Sequence, residues 1–380
     1  MTEQEAIERM VAPGTRRKGK YREGVIQIWV TRACDKACYN CTQGSNLGGK
    51  PGMITPEQFE QAVVSLKGYY GVVGVFGGNP ATHPQFELLC EILRRHIPFE
   101  HRGLWCNNPL GKGKVMRKTF DPSISNLNVH LDEAAYAEFK RDWPESRPFG
   151  AKDDSRHSPV FVAMRDVLKK PCPDCEGRGW NHAPPVEQQE AEAAAGKRTW
   201  ATKIRCLCQG GQVYDESTAW ELISNCDINK HWSAMIGVFR GELRAWFCEI
   251  AGAMSMLHQD EPDYPDTGLP ITLAEENAKA ISLERDVSIT FGPGGKRWWE
   301  LPMHAFTEQV RHHCHDCGVP MRGYGEMAQA FDGVEQTSAT HRSIYNPKTR
   351  GRRVELVTLR DQVKQNALPR FTDYMGNAKR

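Results

Sequence analysis

Short apolar runs of strand length alternate with longer segments of helical periodicity along the first part of the chain. Val25 to Val30, broken only by Gln27, predicts a strand. In Thr55-Pro56-Glu57-Gln58 a threonine stands at the N-cap, a proline at the first helical position and a glutamine where a capping box needs it. Phe59, Ala62, Val63 and Leu66 then recur on one helical face, which predicts a helix ending near Gly68. Val72 to Phe76, rich in valine, predicts a buried strand running into Gly77-Gly78-Asn79-Pro80. Thr82 and Pro84 read as the opening of a second helix with Phe86, Leu89, Cys90 and Leu93 on its apolar face. Gly103 to Cys106 and Leu127 to Leu131 are third and fourth strand candidates, and a helix from about Glu133 to Trp143 follows. This alternation predicts an α/β fold of parallel strands with right-handed crossovers, a full or partial (β/α) barrel. Farther along, Ile236 to Phe239 and Leu243 to Phe247 flank Arg240-Gly241-Glu242 as a β-hairpin, and Cys248 begins an apolar helix from Ile250 to Leu257.

In such folds ligands gather at the carboxyl ends of the strands. The polar and glycine-bearing features fall at those ends. Cys34-Asp35-Lys36-Ala37-Cys38-Tyr39-Asn40-Cys41 follows the first strand, Gly77 to Pro80 the second, Asn107 and Asn108 the third, and His130 closes the fourth. The expectation is one site at one end of the sheet. Cys34, Cys38 and Cys41 form a C-x3-C-x2-C run whose thiolates can close on a single metal centre. A four-iron, four-sulfur cluster normally takes four cysteines, so this loop leaves one iron open to a ligand that is not protein. A closed zinc site wants four ligands, usually as two pairs, and no fourth cysteine or histidine sits near this loop.

Composition narrows the class without choosing a substrate. At 380 residues the chain can hold one large catalytic domain and a smaller one, and 39% hydrophobic with 25% charged residues is ordinary for a soluble enzyme. A formal charge of +2 is too small to argue for nucleic acid. Met1-Thr2-Glu3-Gln4-Glu5 opens no basic-then-apolar leader, and no apolar run approaches the roughly 20 residues of a membrane helix. A cytoplasmic protein with no membrane partner is expected, so the 13 cysteines, mostly clustered, read as metal ligands rather than disulfides.

Cys172-Pro173-Asp174-Cys175 and Cys206-Leu207-Cys208 are two separated pairs, a structural zinc pattern, with an iron–sulfur cluster as the alternative. Between them Glu187 to Lys197, rich in Glu and Ala, predicts a solvated helix. Cys226, Cys248, Cys314 and Cys317 are dispersed. The plain account is that Cys226 and Cys248 are buried apolar residues while Cys314 and Cys317 bind zinc with His312 or His315. Arg16-Arg17-Lys18-Gly19-Lys20 and the residues from Arg342 to Arg380 are basic, read first as solvated segments and second as contacts for phosphate-bearing substrates or nucleic acid.

The Cys34 to Cys41 loop resembles the cluster loop of the radical S-adenosylmethionine (radical SAM) superfamily, and Gly77-Gly78-Asn79-Pro80 is similar to that family's Gly-Gly-Glu-Pro segment. The resemblance implies that Cys34, Cys38 and Cys41 hold a [4Fe-4S] cluster whose free iron chelates the amino and carboxylate groups of S-adenosylmethionine (SAM). It further implies an electron donor such as a flavodoxin or ferredoxin, cleavage of a carbon–sulfur bond, and a 5'-deoxyadenosyl radical that abstracts hydrogen from a substrate. Gly77, Gly78 and Asn79 would hold the SAM amino group, with Asn79 offering an amide where the family has an acid. The family's adenine-packing aromatic stands directly before the third cysteine; here Asn40 takes that place and Tyr39 lies one residue earlier. Asn107, Asn108, Asn128 and His130 would reach the ribose or methionine carboxylate, or else hydrogen-bond their own strand ends.

Two looser resemblances complete the picture. Cys172 to Gly179 is similar to half of the zinc module of DnaJ-type chaperones, with Cys206 and Cys208 as its partner pair one residue too close. Cys226, the hairpin ending at Cys248, and Cys314 with Cys317 resemble the auxiliary-cluster extensions called SPASM and twitch domains, which implies a second [4Fe-4S] cluster on these four thiols. The expected architecture is a partial (β/α) barrel of radical SAM type with a small zinc-binding insertion and an α+β auxiliary-cluster extension. Its boundaries are a basic lead-in at 1–23, the first part of the core at 24–170, the insertion at 171–212, the end of the core with the extension at 213–330, and a basic tail at 331–380. The substrate stays open among a peptide or protein, a nucleotide or nucleic acid, and a small metabolite. The alternative function is a non-catalytic zinc protein that binds polypeptide or nucleic acid through its cysteine modules and basic tail.

Overall fold

The structure, a computed structural model, describes residues 1–15, 24–36, 41–45, 52–130, 132–149, 164–176, 180–182, 203–205, 208, 211–231, 233–271 and 297–321. Cys38, Tyr39, Asn40, Leu131, Cys206, the basic run 16–20, the segment 187–197 and the tail from 331 lie outside the described residues.

Ten strands are present among the described residues: β1 Val25–Thr31, β2 Val72–Gly77, β3 Arg102–Leu104, β4 Lys169–Pro171, β5 Trp180–His182, β6 Lys203–Arg205, β7 Gln212–Tyr214, β8 Ser233–Phe239, β9 Glu242–Trp246 and β10 Leu269–Pro270. Six form one sheet in the order β10-β9-β8-β1-β2-β3. β1 runs parallel to both β2 and β8, β2 is parallel to β3, and β9 and β10 are antiparallel additions. This is an α/β fold with a mostly parallel sheet. Every residue of β1 is buried, as expected of a central parallel strand covered on both faces. Gln27, the polar break in that run, donates its amide nitrogen to Ser233 and the carboxylate of Glu249 inside the core, while its Oε1 has no hydrogen-bond partner among the described residues.

The helices follow the sequence pattern closely. Thr55 and Gln58 close the capping box of the helix Pro56–Ser65, which buries Phe59, Ala62 and Val63. The helix Phe86–His96 buries Phe86, Leu89, Cys90, Ile92 and Leu93. Thr82 does not open it. Thr82 ends a short 3-10 turn, Pro80–Thr82, and its hydroxyl donates to the carbonyls of Asn79 and Ala33, so the side chain is spent on the strand ends before the helix begins. Asp132 caps the helix Glu133–Asp142 through the backbone N–H of Ala135.

Two expectations change. The fourth strand candidate is no continuous ladder: Trp105 pairs with Asn126, and Asn128 with Phe149, as isolated parallel bridges. His130 then turns out with φ 49°, a conformation that stops an extended run. The lead-in is also more than a solvated segment, because the helix Glu3–Arg9 and the residue after it place Ala6, Ile7 and Met10 in the core. That apolar stripe is only one turn long, too short to stand out as periodicity.

β4 pairs antiparallel with β7, and β5 with β6 as a second small ladder. The hairpin β8–β9 turns through Arg240 (φ 50°) and Gly241 (φ 85°), the left-handed pair that a two-residue turn needs. Glu249–Leu257, buried from Glu249 through Met256, follows it against β8. Among the described residues no helix is long and apolar enough to cross a membrane.

Candidate metal centres at the sheet end and in the C-terminal half

The end of β2 is laid directly on the loop that follows β1. The N–H groups of Gly78 and Asn79 donate to the carbonyls of Thr31 and Ala33, each at 2.8 Å. A Cβ on Gly77 would stand 2.1 Å from the Thr31 carbonyl oxygen, and one on Gly78 would stand 2.4 Å from that of Ala33. Glycine is therefore required here by backbone approach. We expect Gly78→Ala to push the cysteine loop outward, costing about 1–3 kcal/mol of stability, as checked by urea unfolding.

Side chains from three strand ends converge on the same loop. Asn79, fully buried, donates its amide to Asp35 Oδ1 (2.9 Å) and to the Asn108 carbonyl (3.0 Å). Its own Oδ1 accepts from the Ala81 N–H (3.1 Å) and the Cys106 thiol (3.2 Å). Asn108 donates to Asp35 Oδ2 (2.9 Å), and Asn107 donates to Cys34 Sγ (3.4 Å). Lys36, whose side chain is wholly enclosed, lies 2.9 Å from Asp132 and 3.7 Å from Asp35. Asp132 carries the helix cap two residues past His130, so the fourth segment too is tied to the cysteine loop.

Burial pushes the Cys34 thiol up to about 12, with the negative charges of Asp35 and Cys41 adding to it. The Lys36 backbone N–H and the Asn107 amide act in the opposite direction, as donors to the sulfur. A thiol in this state is neutral at pH 7 and becomes a thiolate by exchanging its proton for a metal. Among the described residues, three buried polar atoms near this loop have no hydrogen-bond partner: Asn107 Oδ1, Ser45 Oγ and Gln43 Oε1. Such atoms are costly unless something not of the chain meets them.

Of the residues expected to face SAM, Gly77, Gly78, Asn79, Asn107 and Asn108 do gather at Cys34. Asn79, however, has both its amide hydrogens and its oxygen engaged by protein, so it is no free acceptor for an ammonium group. Asn128 accepts the His130 N–H on its side-chain oxygen (3.1 Å), which is hydrogen bonding at its own strand end. Asp35, Lys36, Cys106 and Asp132 were not singled out from the sequence. The available signal was an acid beside the first cysteine, set against an amide where the resembling family has an acid.

A second site lies in the C-terminal half. Cys226, Cys248, Cys314 and Cys317, spread over the sequence, line one cavity with Met10, Asn229 and His313. Cys248 stands at the N-cap of the helix Glu249–Leu257, and Cys314 opens the turn after the helix Thr307–His313. Burial raises the Cys314 thiol well above its usual value, and the charges of Cys248, Cys226 and Cys317 raise it further. The histidines of the plain zinc account face elsewhere. His315 Nδ1 bonds the Tyr214 hydroxyl at 2.6 Å and its ring packs on Trp220, while His312 packs on Tyr264. The N-terminal segment closes one wall of the cavity: Val11 exchanges two backbone hydrogen bonds with the Asn229 amide, which holds Met10 over the thiols.

The third site is in the insertion. The sulfurs of Cys172, Cys175 and Cys208 all lie within 4.8 Å of one another, with Cys175 and Cys208 at 3.5 Å. Sulfurs about 2.3 Å from one tetrahedral zinc would stand about 3.8 Å apart, so this triad fits a single ion. Among the described residues it is the one group of three or more ligating side chains drawn so close. The four thiols of the second site are therefore more widely spaced.

The molecule is thus an α/β protein with a cysteine triad able to hold a metal and two further cysteine-lined sites. No known family's sequence pattern matches the chain, and no curated protein is similar to it.

Proposed function

We propose that this chain is a radical SAM enzyme whose cofactor site is the loop of Cys34, Cys38 and Cys41. The observation that carries the proposal is the meeting of that loop with Gly77, Gly78 and Asn107 at the carboxyl ends of adjacent parallel strands, around buried polar atoms that lack a partner. The loop's own donor set is three thiols, which fits a [4Fe-4S] cluster with one open iron; the nearby Cys106 thiol is engaged with Asn79 and Asn108. When bound, cluster and SAM would supply the electron and the 5'-deoxyadenosyl radical that takes hydrogen from a substrate. The chain's own part is to hold, screen and orient. The Lys36 backbone N–H and the Asn107 amide place two hydrogen-bond donors on Cys34 Sγ, the kind of surroundings that tune a cluster's potential. Gly77 and Gly78 let backbone N–H and carbonyl groups approach a ligand closely, and the parallel sheet behind them keeps the strand ends rigid.

Cys226, Cys248, Cys314 and Cys317 would hold a second [4Fe-4S] cluster, and Cys172, Cys175, Cys208 with Cys206 a zinc ion. A small electron donor such as a flavodoxin or ferredoxin is the implied partner. Anaerobically reconstituted protein is expected to be brown, to carry about eight irons and one zinc, and to form 5'-deoxyadenosine from SAM with dithionite. Colourless protein that holds zinc alone and leaves SAM intact would overturn the proposal in favour of a non-catalytic zinc protein.

A further inference from the structure

SAM carries an α-ammonium and a sulfonium against one carboxylate, so its binding site needs an acceptor for a cation. Asn79 cannot be that acceptor here. Both its amide hydrogens and its oxygen are committed to Asp35, Asn108, Ala81 and Cys106, and the side chain is fully buried. Asp35 and Asp132 face this loop with Lys36 between them, and Arg32, paired electrostatically with Asp260, lies near Cys41. Asp132 is spent: one oxygen caps the helix at Ala135 and the other holds Lys36 at 2.9 Å. Asp35 is not. Lys36 stands 3.7 Å away from it, nearer to Asp132, and the Asp35 side chain keeps 13% of its surface exposed while that of Lys36 keeps none.

Resting on the proposed SAM-binding function, we propose that Asp35, not Asn79, receives the α-ammonium group of SAM, and that Asn79 and Asn108 are its positioning residues. Each of the two amides donates one hydrogen bond of 2.9 Å to a different oxygen of the carboxylate. A carboxylate offers about four lone-pair directions; the amides take two, the Cys34 thiol points at Oδ1 from 3.9 Å and Lys36 lies 3.7 Å from Oδ2, and the thiol's direction is freed when Cys34 gives up its proton to a metal. The amides also fix the plane of the carboxylate beside Cys34. The chain has in effect moved the acid from the turn after β2 into the cysteine loop and turned the former ligand position into its support. An ammonium–carboxylate hydrogen bond is stronger than one to a neutral amide, so the exchange retains the stronger acceptor.

The test uses full-length, anaerobically reconstituted protein with SAM and a deaminated SAM analogue, read by equilibrium dialysis and by the change each makes in the EPR spectrum of the reduced cluster. Asp35→Asn is expected to weaken SAM about 10- to 100-fold with iron content unchanged, and to leave the deaminated analogue as in wild type. The double variant Asp35→Asn/Asn79→Asp, which returns a charge to the other side of the same pair, is expected to recover most of the loss. The proposal is overturned if Asp35→Asn binds SAM like wild type, weakens both ligands equally, or loses its iron, since the last two make Asp35 a support of the loop alone. Wild-type protein that takes up no cluster or binds no SAM would instead defeat the function on which this rests.

Discussion

Cys314→Ala protein, reconstituted anaerobically, is expected to carry about four irons fewer than wild type while still forming 5'-deoxyadenosine from SAM. The reasoning starts from surroundings. Cys314 sits in an apolar cavity with three other thiols, each close enough for its charge to act on Cys314. Removing one of four ligands from a cluster that has no outside ligand to replace it leaves an iron uncovered, and the cluster is lost. The cysteine loop after β1 is on another part of the sheet and keeps its own ligands, so SAM cleavage continues but is uncoupled from product. Cys90 supplies the control. It is as buried as the cavity cysteines, yet it packs on the apolar face of the helix Phe86–His96 beside a threonine and an arginine, with no second thiol as a cause of its raised pKa. Cys90→Ala is expected to retain all its iron. Iron per chain and 5'-deoxyadenosine by chromatography decide the matter, and unchanged iron in Cys314→Ala would remove the second cluster from the proposal.

That contrast also marks what sequence alone can convey. Val25 to Val30, the Thr55 capping box, the valine strand and the hairpin at Arg240-Gly241 were legible because each is a local pattern with a local cause: strand-length apolar runs, a cap, a turn. Gly77 and Gly78 were legible as glycines and not as to why, since the reason is a carbonyl of β1 some 45 residues away in sequence, 2.1–2.4 Å from where a Cβ would be. Pairing of β1 with β8 rests on strands about 200 residues apart, and no local signal encodes it. The same holds for the four cavity cysteines, whose grouping came from a resemblance before the fold brought them together. Asn79 is the instructive failure. Residue type made it a ligand candidate, and only its partners reveal that every polar atom of its side chain is already used.

Cys34→Ala is expected to bring 5'-deoxyadenosine formation down to the background of protein-free controls, with about four irons lost and the second cluster and zinc retained. Cys38→Ala should match it, since the proposed cluster needs all three thiols. The graded comparison is Asn107→Ala. Asn107 donates to Cys34 Sγ at 3.4 Å and holds its own oxygen unpartnered in the site. Removing an outer-shell donor of this kind typically costs about 10- to 100-fold in metal affinity or activity, well short of losing a ligand. The order wild type, Asn107→Ala, Cys34→Ala therefore separates a cluster site from a merely structural loop. A structural loop would lose folding stability in both variants and give no ranked loss of iron. If Cys34→Ala keeps its iron and still cleaves SAM, the open-iron site is not at this loop. The convergence of Asn79, Asn107, Asn108 and Lys36 upon it would then serve only to hold the strand ends together.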